Sequence, residues 1–220
     1  MLFRSVPDRF FDIPSTEDAL TVQIYAGLLW QGHAPDPNPM VFNDEERGGC
    51  VRALAGTIVL SALNFGECQA YYQGGAIYAN DVHLEIYNSH LANNGLPAPQ
   101  PPPLVYTPEG GALYAKNSTV EVYTSDFFEN GLTGPDEGGG IFVTADYDPE
   151  NGYAGDILID STTLEANVAT SRGGGAVLKA PFIVDASYVI DNYAIDTAAE
   201  GTGLYIEVPN HGQALQYVAN

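Results

Sequence analysis

One short signature recurs along this chain at intervals of 25 to 37 residues: an apolar residue three places before a small one. The pairs are Leu29/Gly32, Phe65/Cys68, Leu91/Asn94, Phe127/Asn130, Leu164/Asn167, Val189/Asn192 and Tyr217/Asn220. All but the first copy open on a glycine doublet, or its near equivalent, followed by an aliphatic residue. These openings are Gly48-Gly49-Cys50-Val51, Gly74-Gly75-Ala76-Ile77, Gly110-Gly111-Ala112-Leu113, Gly138-Gly139-Gly140-Ile141, Gly174-Gly175-Ala176-Val177 and Gly201-Thr202-Gly203-Leu204. A period of this length marks repeat architectures, in which each unit buries its apolar face only against its neighbours.

Within each unit the pattern has a period of two. Ten residues before the closing position stand Val22, Ile58, Leu84, Val120, Ile157 and Phe182, and eight before it Ile24, Leu60, Ile86, Val122, Ile159 and Val184. Polar or amphipathic residues alternate with them, which reads as strand. A second strand follows each doublet, with Val51, Ile77, Leu113, Ile141, Val177 and Leu204 facing inward. Two places on come Ala53, Ala79, Ala115, Val143, Lys179 and Ile206, so this inward row breaks once, at Lys179. Stacked at the ordinary strand spacing, about 4.8 Å, seven units would form a rod of roughly 35 Å. The corner residues Asn94, Asn130, Asn167, Asn192 and Asn220 suit a ladder of side-chain amides, and asparagine also tolerates left-handed backbone.

Gly-Gly-Ala-aliphatic followed some twenty residues later by Phe-x-x-Asn, clearest in Gly74 to Asn94 and Gly110 to Asn130, resembles the repeat of polymorphic outer-membrane proteins. That class belongs with the parallel β-helices of bacterial passenger domains and the pectin-lyase-like fold. The resemblance spans residues 20–220. It implies an all-β fold: a single-stranded right-handed parallel β-helix, a solenoid of about seven coils. Residues 1–19 stand outside the repeat, and Met1 to Ser5 read as a foreign start, since Leu-Phe-Arg-Ser is what one frame of a sequencing adaptor encodes. The chain is read as a fragment of a longer solenoid. The class further implies an extracellular or bacterial outer-membrane location and a non-catalytic role as rigid scaffold and adhesin-like surface. The partner would be a glycan or a surface protein of a host or neighbouring cell.

A formal charge of −21 argues against nucleic acid and anionic membrane as partners, and no run of residues suits membrane insertion. One residue past the inward row, Arg52, Tyr78, Tyr114, Phe142, Leu178 and Tyr205 should project outward as a stacked stripe, with Tyr87 and Tyr123 a second, shorter one. Stacked exposed rings suit sugars or an apolar partner, and they also stabilise a sheet. Insertions interrupt the repeat at 35–47, 96–109 and 146–156. The last carries Asp146, Asp148, Glu150 and Asp156, a candidate calcium loop that departs from the EF-hand pattern and also reads as a solvated acidic loop. No other cofactor is indicated. Cys50 and Cys68 either form a disulfide or fill two small sites; a disulfide requires that the two corners of the coil stand within the Cα separation such a bond permits. An alternative function is a polysaccharide lyase or glycoside hydrolase working against Tyr78, Tyr114 and Tyr205. Its best carboxylate pair is Asp160 and Asp185, since glycosidases place two about 5–9.5 Å apart. No catalytic residue is assigned.

Overall fold

The structure is a computed structural model and describes residues 9–14, 20–33, 47–95, 108–131, 137–207 and 216–218. Those residues are all-β, with no helix among them. Two long parallel sheets carry the fold. The first has seven strands: Phe11–Ile13, Val51–Ala53, Ile77–Asn80, Leu113–Lys116, Ile141–Thr144, Ala176–Lys179 and Leu204–Ile206. The second has eleven and is curled. Its strand Thr57–Gly66 pairs with His83–Tyr87 and His90–Ala92 together, so the sheet divides into two wings.

The curl lies along a column of residues with positive φ, between 44° and 54°: Ala26, Ala62, Asn88, Thr124, Ser161 and Ala186. Left-handed backbone is costly for non-glycine residues, most of all for a β-branched one such as Thr124. After four of these corners, at Asn88, Thr124, Ser161 and Ala186, the next residue helps hold the turn. Ser89 Oγ accepts from the Leu63 N–H (3.2 Å), Ser125 Oγ from Ser89, Thr162 Oγ1 from Ser125 and Ser187 Oγ from Thr162, while each hydroxyl donates to the carbonyl two residues back. This hydroxyl column was not foreseen from the sequence. Its signal is a Ser or Thr five residues before the corners Asn94, Asn130, Asn167 and Asn192.

The inward rows of the second sheet follow the sequence pattern. Val22, Ile58, Leu84, Val120, Ile157 and Phe182 align residue for residue, as do Ile24, Leu60, Ile86, Val122, Ile159 and Val184. Together with the inward residues of the first sheet they form one continuous buried core. The first sheet corrects the alignment in the sixth repeat. Ala176 pairs with Ile141, Val177 with Phe142, Leu178 with Val143 and Lys179 with Thr144. The opening doublet there is Gly173-Gly174, and Gly173 takes the positive φ that Gly48, Gly74, Gly110, Gly138 and Gly201 take. Lys179 therefore points outward and the inward row is unbroken; a run of three glycines had concealed a slip of one residue.

The second glycine of the doublet answers a close approach. A Cβ on Gly75 would stand 2.1 Å from the Gly111 carbonyl oxygen, and one on Gly111 2.0 Å from that of Gly139. At the other corner the asparagines form a ladder. Asn130 Oδ1 accepts from both the backbone N–H and the Nδ2 of Asn94, each at 3.0 Å, and Asn130 Nδ2 donates to the Leu91 carbonyl at 2.8 Å. Asn167 and Asn192 repeat the arrangement. The positive φ belongs to the preceding residue (Asn93, Glu129, Ala166, Asp191), so asparagine is selected by its amide and not by its backbone.

Both ends depart from the expected boundaries. Phe11–Ile13 pairs with Val51–Ala53, so the first repeat has its opening strand without a glycine doublet, inside the segment expected to lie outside the repeat. At the other end Tyr217 aligns with Ile183 instead of Val189, and Asn220 lies outside the described residues.

Asn130→Ala should lower stability by about 2–4 kcal/mol, because it strands buried donors on Asn94 and the Leu91 carbonyl. Denaturant unfolding measures this; a loss below about 0.5 kcal/mol would mean that the ladder is incidental to stability.

Candidate functional site

The outward row of the first sheet does stack. Tyr78 and Tyr114 lie 5.4 Å apart between ring centroids and Tyr114 and Phe142 5.3 Å, with planes within 5° of parallel. The row is not open, however. Tyr78, Tyr114 and Phe142 are only 2–5% exposed; Val177, in place of the expected Leu178, is buried, and Tyr205 is half-buried. Cations lie over the rings: the Arg47 guanidinium 5.2 Å from the Tyr78 centroid, Lys179 Nζ 5.0 Å from Phe142 and Arg172 4.9 Å from Tyr205. Burial, followed by the charge of Glu109, pushes the Tyr114 phenol well above its ordinary pKa. The column is a second, smaller apolar core, with Tyr205 packed against its end.

The same face gathers the positive charge of the chain. All six described Lys and Arg side chains sit on it or at its margin, each against a carboxylate or a ring. Arg52 forks onto Asp12 (2.8 and 3.0 Å), with Arg9 3.8 Å from the same carboxylate. Glu137 holds Arg172 at 3.0 Å and Lys179 at 2.5 Å, with Glu200 and Glu207 behind them. Lys116 meets Asp146 at 3.3 Å. The face is internally neutralised, which leaves the excess negative charge for the rest of the surface.

The second aromatic stripe is accessible. Tyr87 and Tyr123 are half-exposed on the curled sheet, stacked 5.0 Å apart and within 3° of parallel. Their hydroxyls donate to Glu85 and Glu121, both at 2.9 Å, and His83 Nε2 lies 2.9 Å from Glu85. Asp160 and Asp185 continue the tyrosine row in strict register, so the expected pairing of these two acids holds. Asp160 accepts from the Ser161 hydroxyl and Asp185 from the Ala186 N–H. Beside the row lies a shallow depression of about 300 Å³ whose rim includes Thr119, Glu121, Leu158 and Ile183. Desolvation, then the bond to Glu85, pushes the Tyr87 phenol up to about 12; Tyr123 rises for the same reasons through Glu121.

The acidic insertion forms an antiparallel hairpin, Tyr147–Asp148 with Gly152–Tyr153, and does not gather its carboxylates. Asp146 accepts from Asn117 Nδ2, and Asp148 from the Glu150 N–H and Asn151 Nδ2; these bonds hold both below the usual carboxylate range. Among the described residues no three His, Cys, Asp or Glu side chains are placed to hold a metal ion, Glu150 and Asp156 included. The insertions at 35–47 and 96–109 lie outside the described residues except for Arg47, Pro108 and Glu109.

Cys50 and Cys68 are disulfide-bonded, with Cα atoms 5.6 Å apart. Of the two alternatives the disulfide holds, because the third residue of the opening packs against the closing corner of its own repeat. A Cβ on Gly140 would meet Asn167 Cγ at 3.2 Å. Cys68 also terminates the amide ladder: its N–H donates to Asn94 Oδ1 at 3.0 Å, and its sulfur lies 3.7 Å from the Leu29 carbonyl, where an asparagine Nδ2 would donate.

Two outcomes follow. Replacing both cysteines (Cys50→Ala with Cys68→Ala) should lower stability by about 3 kcal/mol, and Cys50→Ala with Cys68→Asn should recover part of that by extending the ladder; thermal melts of the three proteins decide, and equal melting of the two variants would refute the ladder extension. Because the raised pKa of Tyr87 favours the neutral phenol in the folded state, its contribution to stability should be constant below pH 10 and fall between 10 and about 12. Tyrosinate absorbance during alkaline titration would show Tyr87→Phe removing one late-ionising group.

No protein-family model, curated protein or solved structure matches this chain, so its functional reading rests on these residues.

Proposed function

We propose that this chain is a right-handed parallel β-helix akin to polymorphic outer-membrane-protein repeats, serving a bacterial secreted or cell-surface protein as a rigid, non-catalytic scaffold with an adhesin-like binding face. The binding face is the tyrosine row of the curled sheet, and the accessible stacked pair Tyr87 and Tyr123 carries this reading. Two parallel rings present a flat apolar edge, and Glu85 and Glu121 beside them accept hydrogen bonds from hydroxyls. That combination, an apolar platform with a few fixed polar groups, suits a sugar. With Asp160 and Asp185 in the same row, anionic sugars would be repelled, so the ligand is a neutral, hydroxyl-rich glycan. Repeat-to-repeat register supports the helical reading, because equivalent residues of successive repeats pair in parallel on both sheets. An exterior location draws support from the buried disulfide, a bond that persists in oxidising compartments.

A glycan array probed with the full chain tests this. Binding to neutral glycans should weaken at least about fivefold in Tyr123→Ala, given ~1 kcal/mol per aromatic contact. Tyr114→Ala, if folded by circular dichroism, should bind as the unaltered chain does. Undiminished binding by Tyr123→Ala, or no binding by a folded chain, would refute the proposed face.

A further inference from the structure

Three asparagines in this chain precede a glycine: Asn94-Gly95, Asn130-Gly131 and Asn151-Gly152. In such a pair the glycine backbone nitrogen can attack the asparagine side-chain carbonyl carbon, because no Cβ shields it. A C–N bond forms to close a succinimide ring, the Cγ–Nδ2 bond breaks, and ammonia leaves carrying the glycine's amide proton. Water then opens the ring at either carbonyl, giving aspartate or its β-linked isomer. Solvent water is the co-reactant, and nothing is oxidised or reduced.

The fold treats the three pairs differently. Asn94 and Asn130 are buried ladder residues whose side-chain amides are held at both ends. Asn94 Nδ2 donates to the Phe65 carbonyl and to Asn130 Oδ1, while its Oδ1 accepts from the Cys68 N–H. Asn130 Nδ2 donates to the Leu91 carbonyl and to Asn167 Oδ1, and its Oδ1 accepts from Asn94. The attacking nitrogens are engaged as well. The Gly95 N–H donates to the Cys68 carbonyl at 3.0 Å and the Gly131 N–H to the Asn94 carbonyl at 2.8 Å. Turning either amide to present its carbon to that nitrogen would break these bonds inside the protein. Asn151 stands instead on the turn of the hairpin formed by Tyr147–Asp148 and Gly152–Tyr153, and it is exposed. Its amide is bonded to the exposed Asp148 carboxylate at 2.7 Å, and a Cβ on Gly152 would meet nothing within 4 Å. A hairpin of two pairs opens locally at little cost.

We infer that Asn151 is a site of spontaneous deamidation in the folded protein, while Asn94 and Asn130 are latent sites that the ladder protects and unfolding exposes. The consequences differ in kind. At Asn151 the product adds a negative charge to an exposed turn and leaves the fold intact. At Asn130 an aspartate would set a carboxylate oxygen, which cannot donate, against the Leu91 carbonyl and Asn167 Oδ1. The β-linked isomer would lengthen the backbone by a carbon at a corner whose neighbours are in register. A chain that dwells unfolded therefore loses the side chains that close its corner, and its unfolding becomes irreversible with time. The inference rests on the ladder's hydrogen bonds and stands or falls apart from the glycan reading.

The full chain, its disulfide intact, is incubated at mildly alkaline pH in buffer and in parallel in guanidinium chloride, and peptide mapping by mass spectrometry follows each asparagine. In buffer the conversion of amide to acid should occur at Asn151, with Asn94 and Asn130 at least about a hundredfold slower than in denaturant. In denaturant all three should react. The fraction that refolds on dilution, read by circular dichroism, should fall in step with conversion at Asn94 and Asn130. Asn151→Gln should abolish the conversion in buffer and leave the loss of refolding unchanged. Asn130→Asp, which is the product of the reaction, should unfold at lower denaturant than the unaltered chain or fail to fold. An Asn151 that stays intact in buffer, or ladder asparagines that convert in buffer as fast as in denaturant, overturns the inference. Full refolding of chains converted at Asn94 or Asn130, or an Asn130→Asp variant as stable as the unaltered chain, overturns the irreversibility.

Discussion

The repeats turn at three places between their strands, and at these turns the strand ladder lapses and leaves backbone amides beside the buried core. That is the constraint on which the rest of the structure depends, because an unsatisfied buried amide costs as much as several buried methylenes gain. The chain meets it with side chains at fixed places. One corner is held by asparagine amides that bond both the backbone and the amide of their neighbour; another by a column of hydroxyls, each accepting from one repeat and donating within its own. The third is made of glycine, where backbones approach too closely for any Cβ. Once the corners are satisfied, the strands between them need only supply apolar residues at alternate positions.

How much of this was legible follows from the same division. The aliphatic rows could be read because alternation and repetition reinforce one another over six copies, and the register of Ile58, Leu84, Val120 and Ile157 agrees with the count. The glycine corner was legible except in the sixth repeat, where three consecutive glycines allow two alignments and only the pairing of Val177 with Phe142 decides between them. The asparagine ladder was legible in its bonds, while its backbone was assigned to the wrong residue. Sequence alone does not separate a residue chosen for its amide from its neighbour that takes the positive φ. The hydroxyl column escaped notice because serine and threonine are common on any exposed strand. Phe11–Ile13 was missed since its repeat lacks the glycines that mark the others.

Alternation predicts which side of a sheet a residue faces, but not whether that side is open. Tyr78, Tyr114 and Phe142 face outward as counted and are buried nonetheless beneath charged side chains, whereas Tyr87 and Tyr123, equally outward, remain accessible. Charge follows the same partition. Arginine and lysine collect over the covered rings, where cation and π-face attract, and acids dominate beside the accessible ones. The two outer faces of one core thus differ in chemistry, one consolidated and one available.

Successive ladder asparagines are separated by 36, 37 and 25 residues, yet their hydrogen bonds stay between 2.9 and 3.0 Å. A dozen residues, including a whole hairpin, enter between repeats without displacing a core side chain. Length variation is thereby confined to the corners, where it changes the outline of the molecule and leaves its interior untouched. A protein assembled in this way can remodel its exterior by insertion and deletion as freely as others do by substitution, so the loops are where its lineage can diverge most quickly at the least risk to folding.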